Sequence, residues 1–386
     1  MHPFADVAIV AAYNTRQARV LDGHTSLSIA MEAARGALEA AGVDRASVDG
    51  VAGANSSEVI YNLGLGPVWQ SPNGSGIPAV LEAAAAITSG LCTTVLVVAG
   101  GAGAYQERAS TAPWTRPSNE FVVSVGMYTA VEFALIARRH MEVFGTTPEH
   151  MARVASTIRN NGHVNPEAVY YGRGPFSDED ILRSRMVADP FRLLDCSMTS
   201  EGGTALLLTS AERAKDSPLP PVYVLGAGID QFGPSYQHPP SWDLRAGDDE
   251  IPNGYVGRRA AQRSFAMAGL IPADVDVCEL YDPFSFEIIR QLEAFGFCGD
   301  GEGGEYVMEG HIGVGGMHPV TTDGGLLSFS HGGGSVQLVQ RVVRATHQLQ
   351  GSCRSMQVDG AEVALCSNGG AGALFTYVLL LGRDRP

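Results

Sequence analysis

Residues 98–105 read VAGGAGAY and residues 365–375 read LCSNGGAGALF, so the pentapeptide GGAGA occurs at 100–104 and again at 369–373. Each copy follows an apolar run that reads as a buried strand. With 47 glycines in 386 residues one such match is unsurprising, and further correspondences have to decide. Three more are present. The strand-like DVAIVAAYN (6–14) matches PVYVLGAGI (221–229). The segment AARGALEAAGVDRASVDGV (33–51) lines up with AAQRSFAMAGLIPADVDVC (260–278), with AGV..A.VD against AGL..A.VD. Finally, NGSGIPAVLEAAAAITSG (73–90) and HGGGSVQLVQRVVRATHQLQG (331–351) both open on glycines, run as helices and end at Gly. Four elements in the same order in each half imply a duplicated βα unit.

The bulk composition fits a large soluble α/β chain. There are 26 basic and 41 acidic residues, a formal charge of −15. That balance argues against nucleic acid or an anionic membrane as the main partner. No apolar run is long enough to span a bilayer, and MHPFADVAIV lacks the basic stretch of a signal peptide, so a cytoplasmic location is expected. Six Cys without a CxxC spacing point to reduced thiols rather than a disulfide frame or a zinc site in this chain.

Strands such as TTVLVVAGG (93–101) and EVALCSNGG (362–370) alternate with Ala-rich helical patterns, the mark of α/β layers. The halves are expected at 1–219 and 220–386, the first interrupted at about 105–200 by a looser insertion. Within it, 126–145 reads as a strong helix, and a second follows, capped by Thr147 or Thr146 with Glu149 in its first turn. The stretch RAGDDEIPNG (245–254) reads as a surface loop.

Several stretches together carry a family resemblance: ARRHMEVFGTTPEHMARVA, ADPFRLLDCSMTSEGGTALLL (188–208), CELYDPFSFE (278–287), GGLLSFSHGGG (324–334) and LCSNGGAGA. Over nearly the whole chain the sequence resembles the thiolase superfamily, in its lipid-transfer-protein or sterol-carrier-protein-X branch. The resemblance implies two βαβαβαββ repeats in five αβαβα layers with an inserted loop domain, paired as a homodimer.

Against that family two positions depart. Its nucleophilic Cys sits at a helix N-terminus, where the dipole and backbone N–H groups favour thiolate. The matching turn here is SPNGSGIPA, with Asn73 in place of the Cys and Ser75 and Gly76 kept. Asn cannot form an acyl-enzyme; Asn73 reads either as a plain helix cap or as a substrate contact. The second departure is Tyr281, followed by Asp282, where the family often has a His. By itself a strand-end Tyr is commonly a packing residue with one hydrogen bond. With the resemblance, Tyr281 leads as acid/base, and it would need a neighbouring donor or charge, since a free phenol titrates near about 10.

Two positions are retained. His331 stands where the family's histidine donates to a thioester oxygen, with Gly332 for the usual Pro. Cys366 stands where the family's second, acid/base Cys lies, though a buried Cys is as readily a small core residue. Gly325, Gly332 and Gly370 belong to glycine turns that could expose N–H groups to the pantetheine arm of a CoA thioester.

An oxyanion donor and an acid/base without a nucleophile suit a retro-aldol cleavage. A base takes the β-hydroxyl proton of a β-hydroxyacyl-CoA while donors hold the enolate. The only lysine, Lys215, reads as a solvated helix end, which closes a Schiff-base route. The ten His show no HxH or HxxxH spacing that would favour a metal-dependent one. One offshoot of the superfamily shares the Tyr and the missing nucleophile. The resemblance to it implies cleavage of steroid-CoA side chains beside a small zinc-ribbon and OB-fold partner, the zinc lying in that partner and no cofactor in this chain. An acyltransferase of the ordinary thiolase kind and a non-catalytic acyl-CoA or lipid-binding subunit remain the alternatives.

Overall fold

The structure is a computed structural model describing residues 2, 4–74, 76–103, 129–232, 256–332, 336–370 and 374–385. Ser75, the start of the insertion and the expected loop 245–254 lie outside the described residues. The first half runs β1 (Val7–Asn14), α1 (Ser26–Ala41), β2 (Gly50–Ala52), α2 (Ser56–Leu63), β3 (Trp69–Ser71), α3 (Ile77–Thr88) and β4 (Thr94–Gly101). The insertion contributes α4 (Thr129–Phe144), α5 (Pro148–Val164), α6 (Asp178–Arg183) and a small hairpin of β5 (Met186–Ala188) and β6 (Phe191–Arg192) before β7 (Gly202–Ser210). The second half runs β8 (Val222–Gln231), α7 (Arg258–Ala268), β9 (Val277–Glu279), α8 (Phe286–Ala294), α9 (Gly303–Met308), α10 (Val336–Gln350), β10 (Val363–Gly370) and β11 (Phe375–Gly382).

The strands join in the order β3-β2-β4-β7-β1-β8-β11-β10-β9. Read from either side of the β1/β8 junction, β7 answers to β11, β4 to β10 and β2 to β9. Pairing senses agree: β2 is parallel to β4 (Val51↔Leu96) and β9 to β10 (Cys278↔Leu365). Both β4–β7 and β10–β11 are antiparallel. Even β3, parallel to β2, has a remnant counterpart in the parallel bridge Cys278↔Val320. The two GGAGA copies are therefore equivalent, each beginning as the last two residues of β4 or of β10. The matched AG pairs also agree: Gly42 and Gly269 end α1 and α7 at φ 63° and 69°, the left-handed backbone that glycine adopts without strain.

Alternation along each strand builds the layers. Val7, Ile9, Val95, Val97, Leu206 and Leu208 face α3 and α10, as do Val222, Val277, Ala364, Leu379 and Leu381 of the other half. The opposite face of the first half, with Ala8, Val10, Leu96 and Val98, packs on α1. That of the second, with Leu365, Val378 and Leu380, packs on α7, α8 and the insertion helices. Close approach is built in: a Cβ on Gly228 of β8 would lie 1.8 Å from the Ala260 carbonyl of α7. Of the two expected cap positions it is Thr147 that caps the helix, its capping box closing with His150, and Glu149 lies in the first turn.

The central helix α10 also carries charge into the core. Arg341 is fully buried and grips Asp323 through two bonds, Nη1 to Oδ1 at 2.9 Å and Nη2 to Oδ2 at 2.8 Å. Its Nη1 also lies 3.5 Å from Glu279 Oε2 at the end of β9. Glu279 Oε1 accepts from the Thr322 hydroxyl at 2.5 Å, and Arg344 Nε donates to that hydroxyl at 2.8 Å. Asp323 Oδ1 in turn accepts from Gly325 N–H. Burial, then the neighbouring Asp323, push the Glu279 carboxyl up to about 7, against the pull of Arg341. Burial, with a smaller push from Asp323, drives Asp282 in the same direction, to about 7, with Arg341 and the Leu326 and Leu327 N–H groups opposing.

These raised values fix a sign for stability. A carboxyl that titrates near 7 when folded and near about 4 when unfolded holds its proton longer in the native state, so its contribution is complete below about 4 and is lost as pH rises through 7. The unfolding midpoint is therefore expected to fall by a few degrees between pH 6 and pH 8. Glu279→Gln, which cannot ionise, should flatten that slope in pH-stepped thermal unfolding. A wild-type midpoint that is constant or rises over the same interval contradicts the assignment.

Candidate active site

Two loops leave the carboxyl ends of β9 and α9 and meet over the second half of the sheet. The first carries Tyr281, whose N–H donates to Ser367 Oγ on β10 at 3.0 Å and whose carbonyl accepts from Gln291 Nε2 on α8 at 2.7 Å. The residue is 8% exposed, so its backbone is fixed and its side chain is largely withdrawn from solvent. Asp282 follows, with no exposure; Oδ1 accepts from Leu326 N–H at 2.8 Å and Oδ2 from Leu327 N–H at 3.2 Å. Both its oxygens therefore serve backbone donors of the π-helical turn Gly325–Phe329, which makes Asp282 an organiser of that turn. Gly325 is required there: at φ 58°, a Cβ would sit 2.1 Å from Asp282 Oδ2. It is buried under Asp282 and packs the turn.

The second loop runs from that turn to His331 and Gly332. A strap from the insertion, residues 195–200, zips between the two loops. Ser285 N–H and hydroxyl both donate to Asp195, the hydroxyl at 2.6 Å, and Ser197 N–H donates to the Pro283 carbonyl at 2.9 Å. Met198 N–H then reaches the Leu326 carbonyl at 3.2 Å. Ser200 closes the strap on both sides of His331: its N–H donates to the His331 carbonyl at 3.2 Å and its Oγ accepts the His331 N–H at 2.8 Å. Ser197 Oγ meets His331 Nδ1 at 2.9 Å. Gly332 lies against the same strap, bridged in parallel to Ser200. Tyr281, Asp282, Gly325, His331 and Gly332 thus belong to one interlocked assembly.

Two features hold the strap from behind. The buried guanidinium of Arg159 on α5 donates to the carbonyls of Leu194 (2.8 Å), Cys196 (3.0 Å) and Leu327 (2.7 Å), tying strap to π turn. Phe191 stacks on Phe284 at 4.8 Å with ring planes 8° apart, pressing the strap's base against the Tyr281 loop. Neither was read from the sequence, although a lone Arg on the apolar face of 148–164 was a visible signal.

The remaining expected residues lie elsewhere. Cys366 is fully buried on the sheet face that packs on α3 and α10, its Sγ directed at the Arg341 carbonyl at 3.6 Å. Burial, followed by the Glu279 carboxylate, pushes its thiol well above the ordinary range, which is the state of a neutral packing group. Gly370 ends β10, where a Cβ would lie 2.7 Å from Glu287 Oε2. Asn73 is not the cap of α3, because that helix begins at Ile77 with Gly76 at the cap position. Asn73 Nδ2 donates instead to Glu82 Oε1 at 2.7 Å.

The cap of α3 comes from the other half of the molecule. Asn368 Oδ1, on β10, accepts the Ile77 N–H at 2.9 Å, while its Nδ2 donates to the Leu338 carbonyl of α10 at 2.9 Å. A side chain on Gly76 would collide with that Oδ1 at 2.5 Å. One amide therefore occupies the helix end where a thiolate would gain from free N–H groups, and it ties both central helices together. Among the described residues no group of three or more His, Cys, Asp or Glu is disposed to hold a metal ion, and no helix is long and apolar enough to cross a membrane.

Comparison with known proteins agrees with this architecture. Residues 253–383 match the family described as thiolase C-terminal domain-like. A steroid side-chain-cleaving aldolase of Thermomonospora curvata is 31% identical, over 98% of this chain and 98% of that one. A 17-hydroxy-3-oxo-4-pregnene-20-carboxyl-CoA lyase of Mycobacterium tuberculosis is 33% identical over 84% of this chain and 88% of its own length. An acetyl-CoA acetyltransferase of Methanothermobacter thermautotrophicus is also 31% identical, over 95% of this chain and 97% of its own, so overall identity does not separate the two activities. Among solved structures, the Ltp2-ChsH2(DUF35) aldolase superposes with a TM-score of 0.85 at 29% identity, covering 99% of this chain and 98% of that one. With the duplicated sheet, the capped helix end and these likenesses together, the chain belongs to the thiolase superfamily, in the branch that holds the steroid side-chain-cleaving aldolases.

Proposed function

We propose that the protein is a carbon–carbon lyase that splits a β-hydroxyacyl-CoA thioester, of the steroid side-chain class handled by its relatives, in a retro-aldol step. The observation that carries the reading is the α3 N-terminus. Its first N–H is taken by Asn368, and Asn73, which the family resemblance sets at the nucleophile position, is bonded to Glu82. The fully buried Cys366 offers no substitute among the described residues. Acyl transfer needs a nucleophile in that place; aldol cleavage does not.

In the proposed reaction Tyr281, entering as its phenolate, accepts the proton of the β-hydroxyl, the C–O bond becomes a carbonyl, and the Cα–Cβ bond breaks. Its electron pair passes to the thioester oxygen as an enolate, held by a hydrogen bond from His331. Protonation of Cα, by water or by the proton Tyr281 has taken, releases a ketone and the shortened acyl-CoA. Asp282 positions the π turn and takes no proton in the reaction. Gly332, next to His331, gives the pantetheine arm its closest approach to this loop. The likeness to the two-protein aldolase supports a DUF35-type partner beside this chain; from the family resemblance we further propose a homodimer at the core, with any zinc in that partner.

Tyr281→Phe deletes only the hydroxyl. Turnover is expected to fall by about 10² to 10⁴ with KM nearly unchanged. His331→Ala should lower kcat by about 10² to 10³, as loss of one oxyanion donor does. Both are read by steady-state release of ketone from a β-hydroxy steroid-CoA, and a wild-type rate in Tyr281→Phe would sink this mechanism.

A further inference from the structure

His331 is held by more than its place in a loop, and the direction of each bond around it can be worked out. Gln17 Nε2 donates to the carbonyls of Thr15 (2.8 Å) and Gly203 (3.2 Å), which fixes its Oε1 as an acceptor. Ser330 Oγ donates its one hydrogen to that Oε1 at 2.8 Å. Ser330 must then accept from Ser200 Oγ, 3.0 Å away, and Ser200 in turn accepts the His331 N–H. The backbone of His331 is thus anchored through a one-way chain of hydroxyls into the first half.

The ring is governed separately. Ser197 Oγ stands 2.9 Å from Nδ1, and among the described residues it has no other side-chain or carbonyl partner. Were Nδ1 protonated and donating, the Ser197 hydroxyl hydrogen would lack a protein acceptor. The arrangement that satisfies the hydroxyl has it donating to an unprotonated Nδ1. A neutral imidazole that accepts at Nδ1 carries its proton at Nε2.

We propose that Ser197 is a positioning residue: its hydroxyl fixes His331 as the Nε2–H tautomer and so makes the far nitrogen of the ring the hydrogen-bond donor of the site. The inference deepens the proposed function, because a developing thioester enolate calls for a donor and a ring with the opposite tautomer would present a lone pair instead. Ser197 itself touches no reacting atom. It lies on the strap, 134 positions away in sequence, and acts through His331.

The tautomer is a property of the free protein and can be read without turnover. Full-length protein labelled with ¹⁵N in histidine is examined by long-range ¹H–¹⁵N correlation at a pH where the ring is neutral, with the His331 pair assigned by its loss in His331→Gln. The wild type should show Nδ1 as the unprotonated and Nε2 as the protonated nitrogen. In Ser197→Ala the pair should move toward the exchange-averaged or Nδ1–H pattern. Its kcat should fall about tenfold, the worth of one hydrogen bond, with KM unchanged. Ser197→Thr, which keeps the hydroxyl, should restore both. Should the alanine variant not fold, Ser197→Cys, close in size and a poor donor, gives the same comparison. An Nδ1–H ring in the wild type, or nitrogen shifts unmoved by Ser197→Ala, overturns the inference. A wild-type rate in His331→Ala would instead remove the functional reading and leave the tautomer result standing.

Discussion

The second half of the molecule hangs on one buried cation. Arg341 projects from the central helix α10 into a space with no solvent, where Asp323 takes both ends of its guanidinium and Glu279 stands behind. Asp323 holds the N–H of Gly325, and Gly325 makes room for Asp282, which holds the next two N–H groups of the same turn. The end of β9, the Tyr281 loop and the turn before His331 are thereby referred to a single point on α10. Removing one partner of such a pair costs about 3–5 kcal/mol because a charge is left buried and alone. The cluster gives the site its rigidity, and two of its carboxyls are raised toward neutrality by the same burial.

Duplication explains the frame, and its asymmetry explains the chemistry. Both halves end a central strand in GGAGA and follow a glycine turn with a helix of the middle layer, yet the two helix ends are treated differently. The first-half helix is stopped by the amide of Asn368, which reaches across 291 positions of sequence. The second-half helix follows His331, held by a strap that the first half sends over. A fold that could build a covalent site at α3 here satisfies that helix end internally and gathers its titratable groups at the other half. The lyase reading rests on this displacement.

The repeats made the fold legible because each glycine in them answers a local backbone demand. Gly42 and Gly269 close equivalent helices in the left-handed region, and such positions show in sequence as AG before a polar turn. Tyr281 and His331 stand out as candidates because they stand in short motifs. The strap could not, since the value of Ser197 and Ser200 depends on contacts with residues more than 130 positions away. Cys366 was open between core and site in the sequence, as its neighbours are apolar on one side and glycine on the other. Only the register of β10 against β9 and its packing on α10 put the thiol on the buried face under that helix. Of the two readings open for Asn73, the cap fails because the helix starts four residues later, where the capping oxygen comes from another strand.

The central claim is that bond cleavage proceeds without an acyl-enzyme and without a second thiol. Incubation with a β-hydroxy steroid-CoA in the presence of free CoA, alone and with a DUF35-type partner, followed by mass spectrometry of all products, tests this directly. The account predicts one ketone and one shortened acyl-CoA per turnover, with free CoA unconsumed. Consumption of CoA with formation of two thioesters would mean thiolysis and would contradict it.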